Sequence, residues 1–201
     1  ADYAALFRTL GVGPSDAGEA AASIDKAGID LWGISQGGMI AQWLGIDHPS
    51  LLRRICLTVT TAGPTKTLRE TVGHWMELAE QERYGELVRD TMRKTYTRRQ
   101  LRKYAPLMPF LGIFGKPKSF RRFLIQAQSC IDHDARGELH TFSLPALILG
   151  GGVDQVLGKR TSEELSELIP GSTLKLYPDL GHAAYEEAGD VIEVITKFFT
   201  E

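Results

Sequence analysis

Ile29-Asp30-Leu31-Trp32-Gly33-Ile34-Ser35-Gln36-Gly37-Gly38-Met39-Ile40-Ala41-Gln42-Trp43-Leu44 is the stretch on which the fold turns. Its opening residues are apolar and strand-like. Met39, Ile40, Trp43 and Leu44 recur at the spacing of one helix face. Between the two lies a tight turn, Gly33-x-Ser35-x-Gly37. Strand, turn and helix in this order present a serine on a sharp, strained bend, the setting of a nucleophile elbow. The neighbouring chain is expected to pass so close that Gly33 and Gly37 must lack a Cβ. The helix starts directly behind Ser35, so its free N–H groups and dipole favour negative charge there. The Gln36 N–H is the expected oxyanion donor.

The chain has 201 residues, enough for one domain or one domain with an insertion. With 43% hydrophobic and 24% charged residues it matches globular proteins rather than disordered or fibrous ones. A net charge of −2 gives no global drive toward nucleic acid, and no nucleic-acid partner is expected. No apolar run reaches the length of a membrane span, and no secretory signal is read at the start. Of the two cysteines, Cys56 lies in an apolar run and is expected to be a buried thiol. A disulfide framework is not expected, which points to a cytoplasmic setting. No metal or cofactor is expected.

The charge is unevenly distributed. Residues 65–137 hold 15 Lys and Arg against 8 Asp and Glu, about +7, which leaves about −9 for the rest. A basic middle between acidic flanks marks a separate sub-structure. Three segments result: 1–64 with the elbow, a helical middle over 65–140, and 141–201.

Along the chain, residues 2–10 and 17–26 read as helices, with Gly28 placed as the C′ residue of the second. The elbow helix ends near His48-Pro49, where proline disfavours helix at the residue before it. Residues 55–60 form a short β-rich run suited to a buried parallel strand. Residues 68–91, 98–103 and 119–130 read as helices. Pro106, Pro109, Gly112, Gly115 and Pro117 break the part between into turns. After Pro145 come an apolar strand over 146–149, a helix over 162–168, a strand over 173–177 and a last helix from about Asp190.

Three polar residues then share a position. Ser35, Asp154 in Gly150-Gly151-Gly152-Val153-Asp154, and His182 in Pro178-Asp179-Leu180-Gly181-His182 each follow the C-terminal end of a parallel-type strand. Ligands of open α/β sheets bind along that edge. A serine hydroxyl needs a base within reach, histidine titrates near neutrality, and an anion fixes the histidine tautomer. Asp179 and Asp132 are the alternatives for the acid. His133, between Asp132 and Asp134, reads as a surface linker, and His48, His74 and His140 receive no role.

On these residues the chain resembles the α/β-hydrolase superfamily. The elbow stretch, the acid turn Gly151-Gly152-Val153-Asp154 and Leu180-Gly181-His182-Ala183-Ala184-Tyr185-Glu186-Glu187 carry the resemblance, which spans residues 29–201. The capped subgroup that includes 3-oxoadipate enol-lactonase, small-molecule esterases and proline iminopeptidases is the most similar. The resemblance implies a parallel sheet flanked by helices with a helical cap over 65–140. It also implies Ser35 as nucleophile, Asp154 as acid and His182 as base. A small ester, lactone or amide substrate would be cleaved through an acyl-enzyme, and the positive middle would draw in an anionic one.

Nothing before Gly33 resembles the superfamily's front strands or its His-Gly loop, which supplies a second oxyanion N–H. The sequence is therefore read as lacking those strands, as a fragment or as a shortened variant. A weakly active or non-catalytic ligand-binding protein on the same scaffold stays open as the alternative. An exposed elbow strand would invite pairing between copies, so a homo-oligomer is compatible with the sequence.

Overall fold

A computed structural model of the protein describes residues 28–111 and 115–201. Strands β1 (Ile29–Ile34), β2 (Leu52–Thr58), β3 (Ala146–Gly151) and β4 (Thr173–Tyr177) form one sheet in the order β1-β2-β3-β4. Every pair is parallel. The alternation of side chains along β2 and β3 decides what covers each face. Ile55, Leu57, Ala146 and Ile148 share a buried cluster with Ala41 and Leu44 of helix α1 (Gln36–Asp47) and Leu165 of helix α7 (Thr161–Leu168). Cys56, Leu147 and Leu149 point the other way, against Val191 and Ile195 of the last helix, α9 (Val191–Thr200). Both faces are thus covered, as a parallel sheet requires. Ile55 and Leu57 are fully buried, and each contributes about 1.5–3 kcal/mol by leaving water. Among the described residues β1 has β2 as its only neighbour and is an edge.

The two helices expected before Gly28 lie outside the described residues. Gly28 itself takes the left-handed conformation, φ 78°, and a Cβ there would lie 2.9 Å from the Leu52 carbonyl carbon. The strand expected over 55–60 begins earlier, at Leu52, and stops at Thr58. Val59 ends it by turning to φ 42°.

Between β2 and β3 the chain leaves the sheet for a helical insertion. It contains α2 (Lys66–Glu80), α3 (Tyr84–Thr95), α4 (Arg98–Tyr104), α5 (Met108–Leu111) and α6 (Arg121–Asp132). The Thr65 hydroxyl caps α2 by accepting from Leu68 N–H at 3.0 Å. The single helix expected over 68–91 is two helices. Glu82 adopts φ 56°, and Arg83 N–H bonds back to the Leu78 carbonyl at 2.8 Å. The break folds Leu78 and Ala79 onto Leu87 and Phe120, a small core of the insertion's own.

The insertion returns to the sheet through His133, which is not a surface linker: it is 7% exposed. Its Nδ1 accepts from Trp43 Nε1–H at 3.3 Å and its Nε2 lies 3.2 Å from the Thr61 carbonyl. Burial pushes its pKa below the usual 6.5. The neutral ring, with its proton on Nε2, satisfies both neighbours. Beside it Ala135 N–H donates to the Ala62 carbonyl at 2.8 Å.

Candidate active site

Ser35 sits between β1 and α1 with φ 51° and ψ −118°. This conformation costs a residue with a Cβ about 1–3 kcal/mol, and the surroundings must hold it. Its N–H donates to the Thr58 carbonyl at 2.9 Å. Its own carbonyl accepts from the Thr60 hydroxyl at 2.8 Å, from Gly38 N–H at 2.9 Å and from Met39 N–H at 3.2 Å. A Cβ on Gly33 would stand 2.7 Å from the Gly37 carbonyl oxygen and 2.8 Å from Ala41 Cβ. The second glycine that sterics demand is Gly38, where a Cβ would meet Thr60 Cβ at 2.6 Å. Gly37 has nothing within 4 Å, so the close approach expected there from sequence is absent.

Two further loops approach along the same sheet edge. A Cβ on Gly151 would lie 2.7 Å from the Leu180 carbonyl oxygen, and one on Gly152 would lie 2.6 Å from that of Pro178. The bare glycine backbone at the end of β3 can therefore lie against the loop after β4. Gly152 N–H donates to the Tyr177 carbonyl at 2.9 Å, and Val153 N–H to that of Leu180 at 3.1 Å. Asp154 follows, 4% exposed. Its Oδ1 accepts from Val156 N–H at 2.7 Å and Leu157 N–H at 2.9 Å. Its Oδ2 lies 2.8 Å from His182 Nδ1.

His182 is also buried, and its Nε2 lies 2.9 Å from Ser35 Oγ. An ionised carboxylate only accepts hydrogen bonds, so Nδ1 carries the imidazole proton and Nε2 accepts from the Ser35 hydroxyl. In that state the imidazole can take the serine proton while the carboxylate stabilises the resulting cation. Asp179 and Asp132, the alternative acids, are exposed, and Asp132 accepts from Gln128 Nε2 instead. His74 is exposed and faces Glu77 at 3.9 Å.

Gln36 opens α1, so helix geometry gives its N–H no acceptor one turn earlier. Sequence reading missed the use of its side chain. Nε2 donates to the Gln126 carbonyl at 3.0 Å and to Ser129 Oγ at 2.9 Å, both on α6. A pairing across 90 residues leaves no local signal. Thr60 was missed too, although a threonine just past a buried strand is a visible candidate for holding the turn. Among the described residues no group of three or more His, Cys, Asp or Glu could hold a metal ion. No helix among them is long and apolar enough to cross a membrane.

Several known proteins are similar to the chain. It is 27% identical over 196 residues to a pimeloyl-[acyl-carrier protein] methyl ester esterase of Neisseria meningitidis, covering 90% of this chain and 72% of that one. It is 28% identical over 193 residues to a 2-hydroxymuconate semialdehyde hydrolase of Pseudomonas putida, covering 89% and 66%. Among solved structures, an alpha/beta hydrolase from a Medee basin deep-sea metagenome library superposes with a TM-score of 0.84 at 21% identity, over 99% of this chain and 70% of that one. The enol-lactonase of Burkholderia xenovorans LB400 gives a TM-score of 0.80 at 18% identity, over 100% and 70%. The family model described as alpha/beta hydrolase fold matches residues 21–189, most of the sequence. With the parallel sheet and the strand–Ser35–helix turn already in place, the chain belongs to the alpha/beta hydrolase fold family.

Proposed function

We propose that the protein is a serine hydrolase of small carboxylic esters, lactones or amides. The observation that carries the proposal is the hydrogen-bonded line from Ser35 Oγ through His182 to Asp154, at 2.9 and 2.8 Å. Ser35 Oγ attacks the substrate carbonyl carbon while its proton passes to His182 Nε2. The carbonyl oxygen becomes an oxyanion and takes a hydrogen bond from Gln36 N–H. The tetrahedral adduct collapses, the bond to the leaving group breaks, and His182 returns the proton to the departing atom. Water, deprotonated by the same imidazole, attacks the acyl-enzyme and releases the acid. Asp154 holds the tautomer and the imidazolium throughout.

The relatives named as an ester esterase and an enol-lactonase favour ester and lactone substrates over amides. Of the described residues, we assign 28–64 and 141–201 to the core and those within 65–140 to a cap that sets substrate choice; the rest of the segment 1–64 lies outside the described residues. The cap's excess of Lys and Arg favours substrates carrying a carboxylate or another anion. The free thiols of Cys56 and Cys130 fit the reducing cytoplasm.

Fluorophosphonate labelling with peptide mapping tests the proposal without knowledge of the substrate. A single adduct on Ser35, lost in His182→Ala, is expected. A folded protein that takes no adduct would refute the hydrolase and leave a ligand-binding protein on the same scaffold.

A further inference from the structure

The corner between α3 and α4 is bonded to the loop that carries His182. The Thr95 carbonyl accepts Ala183 N–H at 3.0 Å. The Glu187 carboxylate accepts Thr97 N–H on Oε1 at 2.9 Å and the Thr97 hydroxyl on Oε2. The Tyr96 hydroxyl donates to Glu186 Oε2 at 2.8 Å. Ala183 directly follows His182 and precedes the single helical turn α8 (Ala184–Glu187). Its carbonyl accepts Glu186 N–H at 2.9 Å and Glu187 N–H at 3.0 Å, so its peptide groups are held on both sides.

The His182 ring is tied through its two nitrogens to Asp154 and Ser35. Those bonds are useful only if the backbone beneath the ring stays where it is. That backbone is fixed by a segment of the helical insertion more than 80 residues away in sequence. Glu187 holds this segment by two hydrogen bonds to a carboxylate, the stronger kind. Thr97 in turn caps α4 by accepting Gln100 N–H at 3.3 Å. Loss of the carboxylate leaves the Thr97 N–H and hydroxyl without their partner and loosens the corner that carries the Thr95 carbonyl, which keeps the Tyr96–Glu186 and Thr95–Ala183 bonds.

We infer that Glu187, acting through Thr97 and the Thr95–Ala183 bond, is a positioning residue for His182, so that the insertion holds the base in register with Ser35. The inference rests on the assignment of His182 as the base. Glu187 touches neither Ser35 nor the reacting carbonyl in this scheme. Its effect falls on turnover, because misplacement of a reacting group lowers rate without removing substrate contacts.

The test compares wild type with Glu187→Ala, Glu187→Gln and Thr97→Ser. It measures p-nitrophenyl ester hydrolysis, fluorophosphonate labelling rate, and amide hydrogen exchange at Ala183 by NMR. Glu187→Ala is expected to lower kcat and the labelling rate by about 10- to 100-fold at unchanged KM, with faster exchange at Ala183. Glu187→Gln, which keeps one acceptor, should fall between, and Thr97→Ser should resemble wild type. If Glu187→Ala does not fold, Thr97→Val removes the same hydroxyl bond and is read the same way. Unchanged kcat and unchanged Ala183 exchange in the folded variants would overturn the inference, as would fast Ala183 exchange in wild type. Protected wild-type Ala183 with an unreactive Ser35 would count against the hydrolase assignment and leave the clamp standing as structure.

Discussion

Replacing Asp154 by Asn tests the proposed acid with the smallest change of shape. The carboxylate does two jobs through two oxygens. Oδ1 accepts from the Val156 and Leu157 N–H groups, and Oδ2 accepts from His182 Nδ1. An asparagine can keep its oxygen on the two backbone donors and place its NH2 where Oδ2 was. That NH2 then donates to Nδ1, which forces the imidazole proton onto Nε2, toward Ser35. A protonated Nε2 cannot accept the serine proton. The expected loss in kcat is about 10⁴-fold, the size seen for the same exchange in a serine-protease triad. At 1.36 kcal/mol per factor of ten, that is about 5.4 kcal/mol of barrier.

Folding should be little affected, because both backbone bonds survive. Asp154→Ala differs here: it leaves two N–H groups without their acceptor, at about 1–3 kcal/mol each when buried, and lowers stability as well as turnover. The assay is ester hydrolysis and fluorophosphonate labelling, with thermal melts of the same preparations. An Asp154→Asn protein that melts like wild type and labels within tenfold of its rate would refute the reasoning. So would a larger loss from Asp179→Asn than from Asp154→Asn.

Ser35→Ala should abolish turnover while keeping the fold, and Ser35→Gly should be more stable than Ser35→Ala by about 1–3 kcal/mol, since only glycine is at ease at φ 51°; urea denaturation of the two compares them at equal loss of hydroxyl. Gly38→Ala should cost about 1–3 kcal/mol, because its Cβ meets Thr60 at 2.6 Å, whereas Gly37→Ala should be neutral or stabilising by up to about 1 kcal/mol in the first helical turn; melting temperatures of the pair decide. His133 has a pKa lowered by burial, so the unfolded chain binds its proton first. Its contribution is therefore complete above about pH 6.5 and is lost as pH falls through that value toward the lower folded-state pKa. Urea midpoints should drop between about pH 7.5 and pH 5.5, with a smaller drop in His133→Gln.

The strand–turn–helix at Ser35 was legible because three local signals agree there: an apolar run, glycines around a serine, and a helical period. The apolar runs at 55–60 and 146–149 were legible for the same reason, since a buried parallel strand needs no partner to look apolar. The helix break at Glu82 was not. Ala79-Glu80-Gln81-Glu82-Arg83 contains good helix formers, with no proline or glycine. The turn is imposed by Leu78 and Ala79 packing on Leu87 and Phe120, a tertiary cause. The charges beside His133 suggested solvent, yet Asp132 and Asp134 are exposed while His133 and Ala135 are buried. That alternation of exposed and buried positions was present in Asp-His-Asp-Ala, where α6 ends and the chain leaves it, and the flanking acids obscured it. The pairing of Ser35 with His182 spans 147 residues. Sequence could say only that both follow strands at one sheet edge, not that they meet.

That shared edge also explains why the insertion touches the site. In a parallel sheet every strand ends on the same side, so a segment leaving the end of β2 emerges beside the turns that end β1, β3 and β4. Its two stems are stitched together at the base, by the His133–Thr61 contact and the Ala135–Ala62 bond. Farther out it grips the loops of the site at several points: Ser129 and Gln126 hold the Gln36 side chain, Thr97 holds Glu187, and the Thr71 hydroxyl donates to the Gln155 carbonyl beside Asp154. A hinge motion about the stems would act on these contacts. Opening would free the side chain of Gln36, the residue proposed to donate its N–H to the oxyanion, or loosen the backbone of the proposed base. On the proposed mechanism, an insertion attached in this way would couple any opening motion to the Gln36 side chain and to the loop that carries His182.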